Sequence, residues 1–271
     1  MGAAIFAPCP HGCFAGILPW KKWQCKRLSP CTMRSRPLAA VPVTVYGTPG
    51  RGWDRARPRW QKGRTVVKVD FKKTLSKLYS APTGRFAAVD VPALQFVKID
   101  GKGDPNREPA YAQAIEWLYS VSYAMKFASK AGSGRDYVIP PLEGLWWADD
   151  PADFVSRRKH RWKWTMMIMV PDFVSRPLYD EAVTKTHGKR GEPPPETLRL
   201  ESLDEGRSLQ TLHVGSYDDE APILARLHDE VMPAEGLTFA GPHHEIYLSD
   251  PRKTEPEKRK TILRQPIRKA D

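Results

Sequence analysis

From Lys68 onward the apolar positions switch between two spacings, and each switch marks the edge of an element. Phe71, Leu75, Leu78 and Tyr79 share one helical face, which predicts a short docking helix or extended arm ended by Pro82. Phe86–Val91 and Leu94–Gly101 read as strands, the second carrying Phe96, Val97 and Ile99. Across Glu108–Lys130, the residues Tyr111, Ile115, Leu118, Ser122 and Met125 step by three and four, the period of an amphipathic helix. Strands are expected at Arg135–Pro140, Leu142–Trp147 and Trp162–Val170, the last with an apolar second half suited to a sheet centre. Pro177 suits the first turn of a helix over Leu178–Thr186, before a Gly/Pro-rich loop at His187–Glu196.

The same succession then recurs. Leu198–Leu203 and Arg207–Val214 read as strands, and Ile223, Leu224, Leu227 and Val231 give an apolar face to a helix over Ala221–Met232. Leu237–Ala240, His244–Ser249 and Thr261–Ile267 read as strands. Pro141-Leu-Glu-Gly-Leu-Trp-Trp-Ala-Asp-Asp-Pro151 and Pro242-His-His-Glu-Ile-Tyr-Leu-Ser-Asp-Pro251 share a Glu near the strand start and a closing Asp-Pro. Gly215-Ser-Tyr-Asp218 likewise echoes Gly101-Lys-Gly-Asp104. The expected fold is therefore α+β: tandem strand-helix-strand-strand repeats, about 86–170 and 198–268, with pseudo-twofold symmetry, an antiparallel sheet and a central ligand cleft.

Charge divides the chain unevenly. Residues 1–67 hold twelve Lys and Arg against one acid, Asp54, which accounts for nearly all of the +12 net charge. The remainder is close to neutral, so the folded part has no basic surface that would call for a nucleic-acid partner. All four cysteines, Cys9, Cys13, Cys25 and Cys31, also lie in the first segment, at spacings that match no compact zinc pattern. That segment lacks sustained periodicity. A secretory signal fits poorly because Lys21 and Lys22 follow the apolar part, and the Pro and Trp content argues against an organelle-targeting helix. The remaining reading is a disordered or non-native extension, with the natural start near Val66–Val69. No apolar run approaches the roughly 18 residues of a membrane helix.

Candidate chemistry centres on two glutamates. Glu245 and Glu143 each lie in a strand among apolar and aromatic neighbours, where a carboxylate is costly unless paired or used. Facing one another across the cleft, their side chains are expected to converge, as a general base or as a seat for a cationic group. Trp146, Trp147, Trp164 and Tyr247 offer walls for a planar ligand, although adjacent tryptophans in a strand point to opposite faces. Tyr119 and Tyr123 flank the helical stripe and bring polar tips toward the same region. His243 and His244 point apart and have no third ligand at a suitable spacing, so neither a metal nor a cofactor is expected. Neither a phosphate-binding Gly-rich loop nor a Gly-x-Ser-x-Gly elbow is present.

Ile-Asp-Gly-Lys-Gly-Asp-Pro-Asn106, Leu-Tyr-Ser-Val-Ser-Tyr-Ala-Met-Lys126, Pro-Pro-Leu-Glu-Gly-Leu-Trp-Trp147, Trp-Thr-Met-Met-Ile-Met169 and His-His-Glu-Ile-Tyr-Leu-Ser-Asp-Pro-Arg252 occur in that order. Together, over roughly Val69 to Ala270, they resemble the GyrI-like small-molecule-binding domain proteins, in particular their stand-alone bacterial branch. The resemblance implies a central cleft for bulky hydrophobic or aromatic ligands, with the family's acidic residue at Glu245. Relatives serve as effector domains of multidrug-responsive regulators or as free-standing proteins. Some of the latter are cyclopropanoid hydrolases, which open the strained ring of DNA-alkylating compounds. On that reading a cytoplasmic detoxifying protein is implied. Glu245 would activate water, and Tyr247 or Tyr137 would donate to the departing oxygen. The alternative is a binding or sequestering protein without chemistry.

Overall fold

In the computed structural model, which describes residues 68–150, 153 and 156–270, one antiparallel sheet of nine strands carries the whole architecture. An arm opens the chain with β1 (Lys68–Val69) and the single turn α1 (Phe71–Thr74), capped by the Asp70 carboxylate. The first half contains β2 (Ala87–Val91), β3 (Leu94–Lys102), the long helix α2 (Pro109–Ser133), the short β4 (Asp136–Tyr137), β5 (Leu142–Trp147) and β6 (Lys163–Val170). Helix α3 (Arg176–Arg190) leads to the second half, with β7 (Arg199–Leu203) and β8 (Gly206–Val214). There α4 (Ala221–Arg226) runs through a π turn at Leu227–Val231 into α5 (Met232–Ala234), followed by β9 (Leu237–Phe239), β10 (His243–Tyr247) and β11 (Lys260–Lys269). The expected cysteine-bearing segment lies outside the described residues.

Read outward from its centre, the sheet runs β5, β6, β3 on one side and β10, β11, β8 on the other. Its outermost strands are exchanged: β2 pairs with β8, and β7 pairs with β3. The two halves are thus stitched together at both edges as well as through the central β5–β10 pair.

Two local expectations change for identifiable reasons. Of the strand expected over Arg135–Pro140, only Asp136–Tyr137 pairs, in parallel with β1, because Pro140 and Pro141 have no amide hydrogen to continue a ladder. The second-half helix widens into its π turn just before Pro233, whose ring crowds the carbonyl four residues back and cannot donate to it.

Period-two alternation assigns the side chains to two faces. On one, α2 packs Trp117, Leu118, Val121 and Met125 onto Val97, Ile99, Trp164, Met166 and Ile168, while Leu227 and Met232 cover Leu209 and Ile267. The arm covers the other face, where Leu78 and Tyr79 join Val89, Val91, Ile246 and Ile262. Each such buried side chain contributes about 1.5–3 kcal/mol. Among the described residues no helix is long and apolar enough to cross a membrane.

Candidate functional site

Strand β10 presents His243, Glu245 and Tyr247 on the helix face, and His244 and Ile246 on the arm face. Directly opposite Glu245 on β5 is Gly144, and opposite His243 is Trp146. That glycine makes room. A Cβ at Gly144 would lie 2.9 Å from Trp146 Nε1 and 3.1 Å from the Tyr247 hydroxyl. In the space so kept, Trp146 Nε1 donates to the Tyr247 hydroxyl at 3.0 Å, and Tyr247 donates to Glu245 Oε2 at 2.8 Å. Burial and the Glu245 charge hold the Tyr247 phenol well above its ordinary value, so it remains a donor. The first turn of α2 adds Tyr111, in hydrogen-bonding contact with Tyr247 and shifted upward by burial and by Glu245.

Aromatic rings enclose this carboxylate. Tyr111 lies 6.0 Å from Trp146 and edge-on to Trp164 at 5.2 Å, and Trp162 meets Trp146 at 6.1 Å. From the second half, Tyr217 packs edge-on against Tyr247 at 5.8 Å with the Arg259 guanidinium over its outer ring. The turn that carries Tyr217 is fixed by a capping box between Ser216 and Asp219. It delivers Glu220 into the interior, 5% exposed, with Oε1 lacking a hydrogen-bond partner among the described residues. Burial, then the charges of Glu245, Asp218 and Asp219, push the Glu220 carboxyl far above the carboxylate range, against a hydrogen bond with Thr261. Two carboxyl groups therefore share the site, and burial and neighbouring charge favour the neutral form at Glu220. On the far side of Glu245 the His243 imidazole stands 3.6 Å away. Its neighbour His228, in the π turn, is lowered to about 4 by burial and by His243.

Glu143 belongs to a different assembly. It pairs across the strands with Ile246 and points to the arm face, so the expected convergence with Glu245 does not occur. There it accepts from the Tyr79 hydroxyl at 3.0 Å and lies 3.0 Å from His244 Nε2. His244 Nδ1 meets Glu205 at 2.8 Å, and Arg264 bonds Glu205, Gln210 and the Leu78 carbonyl. Burial draws the His244 pKa down, but the two carboxylates outweigh it and hold the imidazole at about 9. Glu205, which burial alone would raise, is brought to about 2 by His244 and Arg264. The network ties the arm to the sheet: Gln210 also donates to the carbonyls of Lys77 and Ser80.

The structure thus brings Glu245, Tyr247 and Trp146 together, with Trp164 behind Tyr111. Trp164 is fully buried and lies against Gly101, where a Cβ would come within 2.1 Å of its ring. Trp147 lies on the arm face with Phe96, Leu145 and Met167. Tyr137 is buried against Phe173 and Lys126 near the far end of α2, about 20 Å along the helix from Tyr111, so it is no partner of Glu245. Tyr119 is half-buried, with Asp250 and Arg252 as charged neighbours, whereas Tyr123 stacks on Phe127 on the exposed side of α2. Reasoning from sequence placed Tyr111 in the core stripe and passed over Tyr217 and Glu220. The run Asp218-Asp219-Glu220 reads as a solvated helix start, and only its use of Asp219 as a cap hints that Glu220 is spare. Among the described residues no cluster of His, Cys, Asp and Glu could hold a metal ion.

Residues 86–268 match the model of the GyrI-like family, a GyrI-like small molecule binding domain. Among solved structures, an uncharacterized conserved protein from Listeria innocua is 38% identical, with a TM-score of 0.68 over 74% of this chain and 100% of that one. A hydrolase from the same organism is 37% identical over the same shares, with a TM-score of 0.64. A further structure of a Listeria innocua hydrolase has the same identity and coverage and a TM-score of 0.65. No curated protein matches this chain.

Proposed function

Because the chain belongs to the GyrI-like small-molecule-binding domain family, we propose that the Glu245 site takes bulky hydrophobic or aromatic compounds and hydrolyses electrophilic, cyclopropanoid-type ones among them. Its role is detoxification in the cytoplasm. One observation carries this reading: the Glu245 carboxylate is oriented by the Tyr247 phenol, itself fixed by Trp146, inside a wall of aromatic rings. Such rings stack a planar ligand, and a carboxylate held in one orientation can take a proton from an adjacent water. The Listeria innocua relatives described as hydrolases support the same direction.

In the reaction, Glu245 removes a proton from water as the water oxygen bonds a carbon of the strained ring. The ring C–C bond breaks, and its electron pair moves through the conjugated system onto the ligand's carbonyl oxygen, which becomes a phenolate. Tyr247 has a single proton and gives it to Glu245, so it positions the base and does not serve the departing oxygen.

The test is incubation of the chain with a spirocyclopropyl dienone, followed by mass spectrometry. The expected product is the water adduct. Glu245→Gln should abolish its formation while affinity stays within a few fold. Full turnover in that variant overturns the assignment of the base. A compound that binds and returns unchanged replaces hydrolysis with sequestration in the same site.

A further inference from the structure

We propose that Glu220 is the general acid of this site, a neutral carboxylic acid that hands its proton to the ligand oxygen on which the electrons of the opening ring collect. This rests on the hydrolytic reading above. Several features place Glu220 for the task. It is buried, and Oε1 has no partner among the described residues although the site around it is rich in donors and acceptors. A buried polar atom left unpaired in the protein alone is one a ligand can satisfy. It accepts from the hydroxyl of Thr261, which sits directly opposite Tyr247 in the β10–β11 ladder, so Glu220 enters the site from the side facing the Glu245–Tyr247 pair.

The groups that face it set its protonation. Glu245 and Tyr247 come from β10, Thr261 from β11, and Asp218, Asp219 and Tyr217 from its own turn. Three of these are carboxyl groups, but Asp218 and Asp219 are exposed, Asp218 is paired with Arg157 and Lys159, and Arg259 lies over the Tyr217 ring. The facing charge that bears most on the buried Glu220 is therefore Glu245, and two neighbouring carboxyls shielded from water do not readily both ionise. The arrangement therefore separates base from acid: one carboxyl takes a proton from water while the other supplies one to the ligand oxygen that collects the electron pair. Each turnover leaves Glu245 protonated and Glu220 ionised. Returning the proton from Glu245 to Glu220 restores the starting state, with the net addition of one water: its hydroxyl on the opened carbon and a proton on the former carbonyl oxygen.

Infrared spectroscopy tests this without requiring turnover. A neutral carboxylic acid has a carbonyl stretch that a carboxylate lacks. At neutral pH the wild-type chain should show such a band, Glu220→Gln should lose it, and in Glu245→Gln it should vanish at lower pH because the facing charge is gone. Adding the spirocyclopropyl dienone should shift the band as Glu220 donates to the ligand. A band indifferent to Glu220→Gln, or to the ligand, overturns the proposal. Should Glu220→Gln fail to fold, the pH at which the band is lost in wild type and in Glu245→Gln decides alone.

In turnover, Glu220→Gln should lower kcat about 10²–10⁴-fold and remove the alkaline fall of the rate, with affinity within a few fold. An unchanged kcat counts against the role. If the wild-type chain opens no ring, hydrolysis is refuted, and the ligand-induced band shift still determines whether Glu220 is a donor in the site.

Discussion

The two faces of the central strands treat the same residue type in opposite ways. On the arm face, Glu143 is flanked by Tyr79 and His244, and the line continues through Glu205 to Arg264 and Gln210, so that each carboxylate meets a cation or a donor. On the helix face, Glu245 has one phenol as its hydrogen-bond donor, and Glu220 faces it with an oxygen unpaired among the described residues. A buried network of paired charges fixes structure, whereas a buried carboxyl with no counter-charge leaves capacity for a ligand. The two glutamates are close in the sheet: Glu143 adjoins Gly144, the residue across from Glu245. One step of register separates them, and in a strand one step changes the face.

The largest expected effect breaks the completed side. Glu205→Ala leaves the His244 imidazolium and Arg264 buried with one fewer counter-charge, and should cost about 3–5 kcal/mol in urea denaturation. The same network predicts how stability follows pH. His244 is raised from 6.5 to about 9, so its contribution is complete below 6.5 and fades as pH climbs to about 9. Glu205 is lowered from 4.5 to about 2, so its share is complete above 4.5 and is lost as pH falls toward 2. Glu220, raised in the folded state, adds to the alkaline loss because the unfolded chain releases that proton first. Because the Glu220 loss begins at about 4.5, where the Glu205 contribution becomes complete, stability should peak near 4.5 and fall as pH climbs, more steeply above 6.5. In Glu205→Ala that profile should flatten, and an unaltered curve would sever the link between network and stability.

A smaller change sharpens the contrast from the other face. Gly144→Ala puts a methyl against Trp146, Met166 and Tyr247, all closer than ordinary packing allows. Shifting these side chains should cost about 1–3 kcal/mol and loosen the orientation of Glu245. A melting temperature and turnover equal to wild type would show that the glycine is not what keeps the space.

How much of this was legible in the sequence follows from the range of the interactions. Local period carried far: a helix expected over Glu108–Lys130 is observed at Pro109–Ser133, and a strand expected over His244–Ser249 is observed at His243–Tyr247. Register did not carry, because pairing of β5 with β10 joins residues about a hundred positions apart. Aligning the two Glu-containing motifs by their glutamates made Glu143 the echo of Glu245, whereas the sheet sets Gly144 opposite it. Of the adjacent tryptophans, expected to point to opposite faces, Trp147 is the one on the arm face. Tyr137 failed for another reason: α2 carries the chain the length of the sheet before β4, so the residue ends up beside Lys126. The exchange of β2 and β7 has no local signature at all. Glu220 hides in an acidic run whose other members are exposed.

The smallest expected effect on stability separates the faces most cleanly. Glu245→Gln retains an oxygen that can accept from Tyr247 and removes the charge that opposes ionisation of Glu220. Its side chain is 14% exposed and has no cation bonded to it comparable to the His244 and Arg264 pair around Glu205. Losing one charged acceptor and lowering the cost of keeping Glu220 protonated act in opposite directions, so stability should stay within about 1 kcal/mol of wild type. The balance should tilt toward the variant as pH rises, since ionising Glu220 no longer meets a second carboxylate. Urea denaturation at two pH values, one near the stability maximum and one on its alkaline side, measures both the size and the tilt. A loss as large as that of Glu205→Ala would mean that Glu245, too, is a structural charge, and the helix face would then lose its claim to be the reactive one.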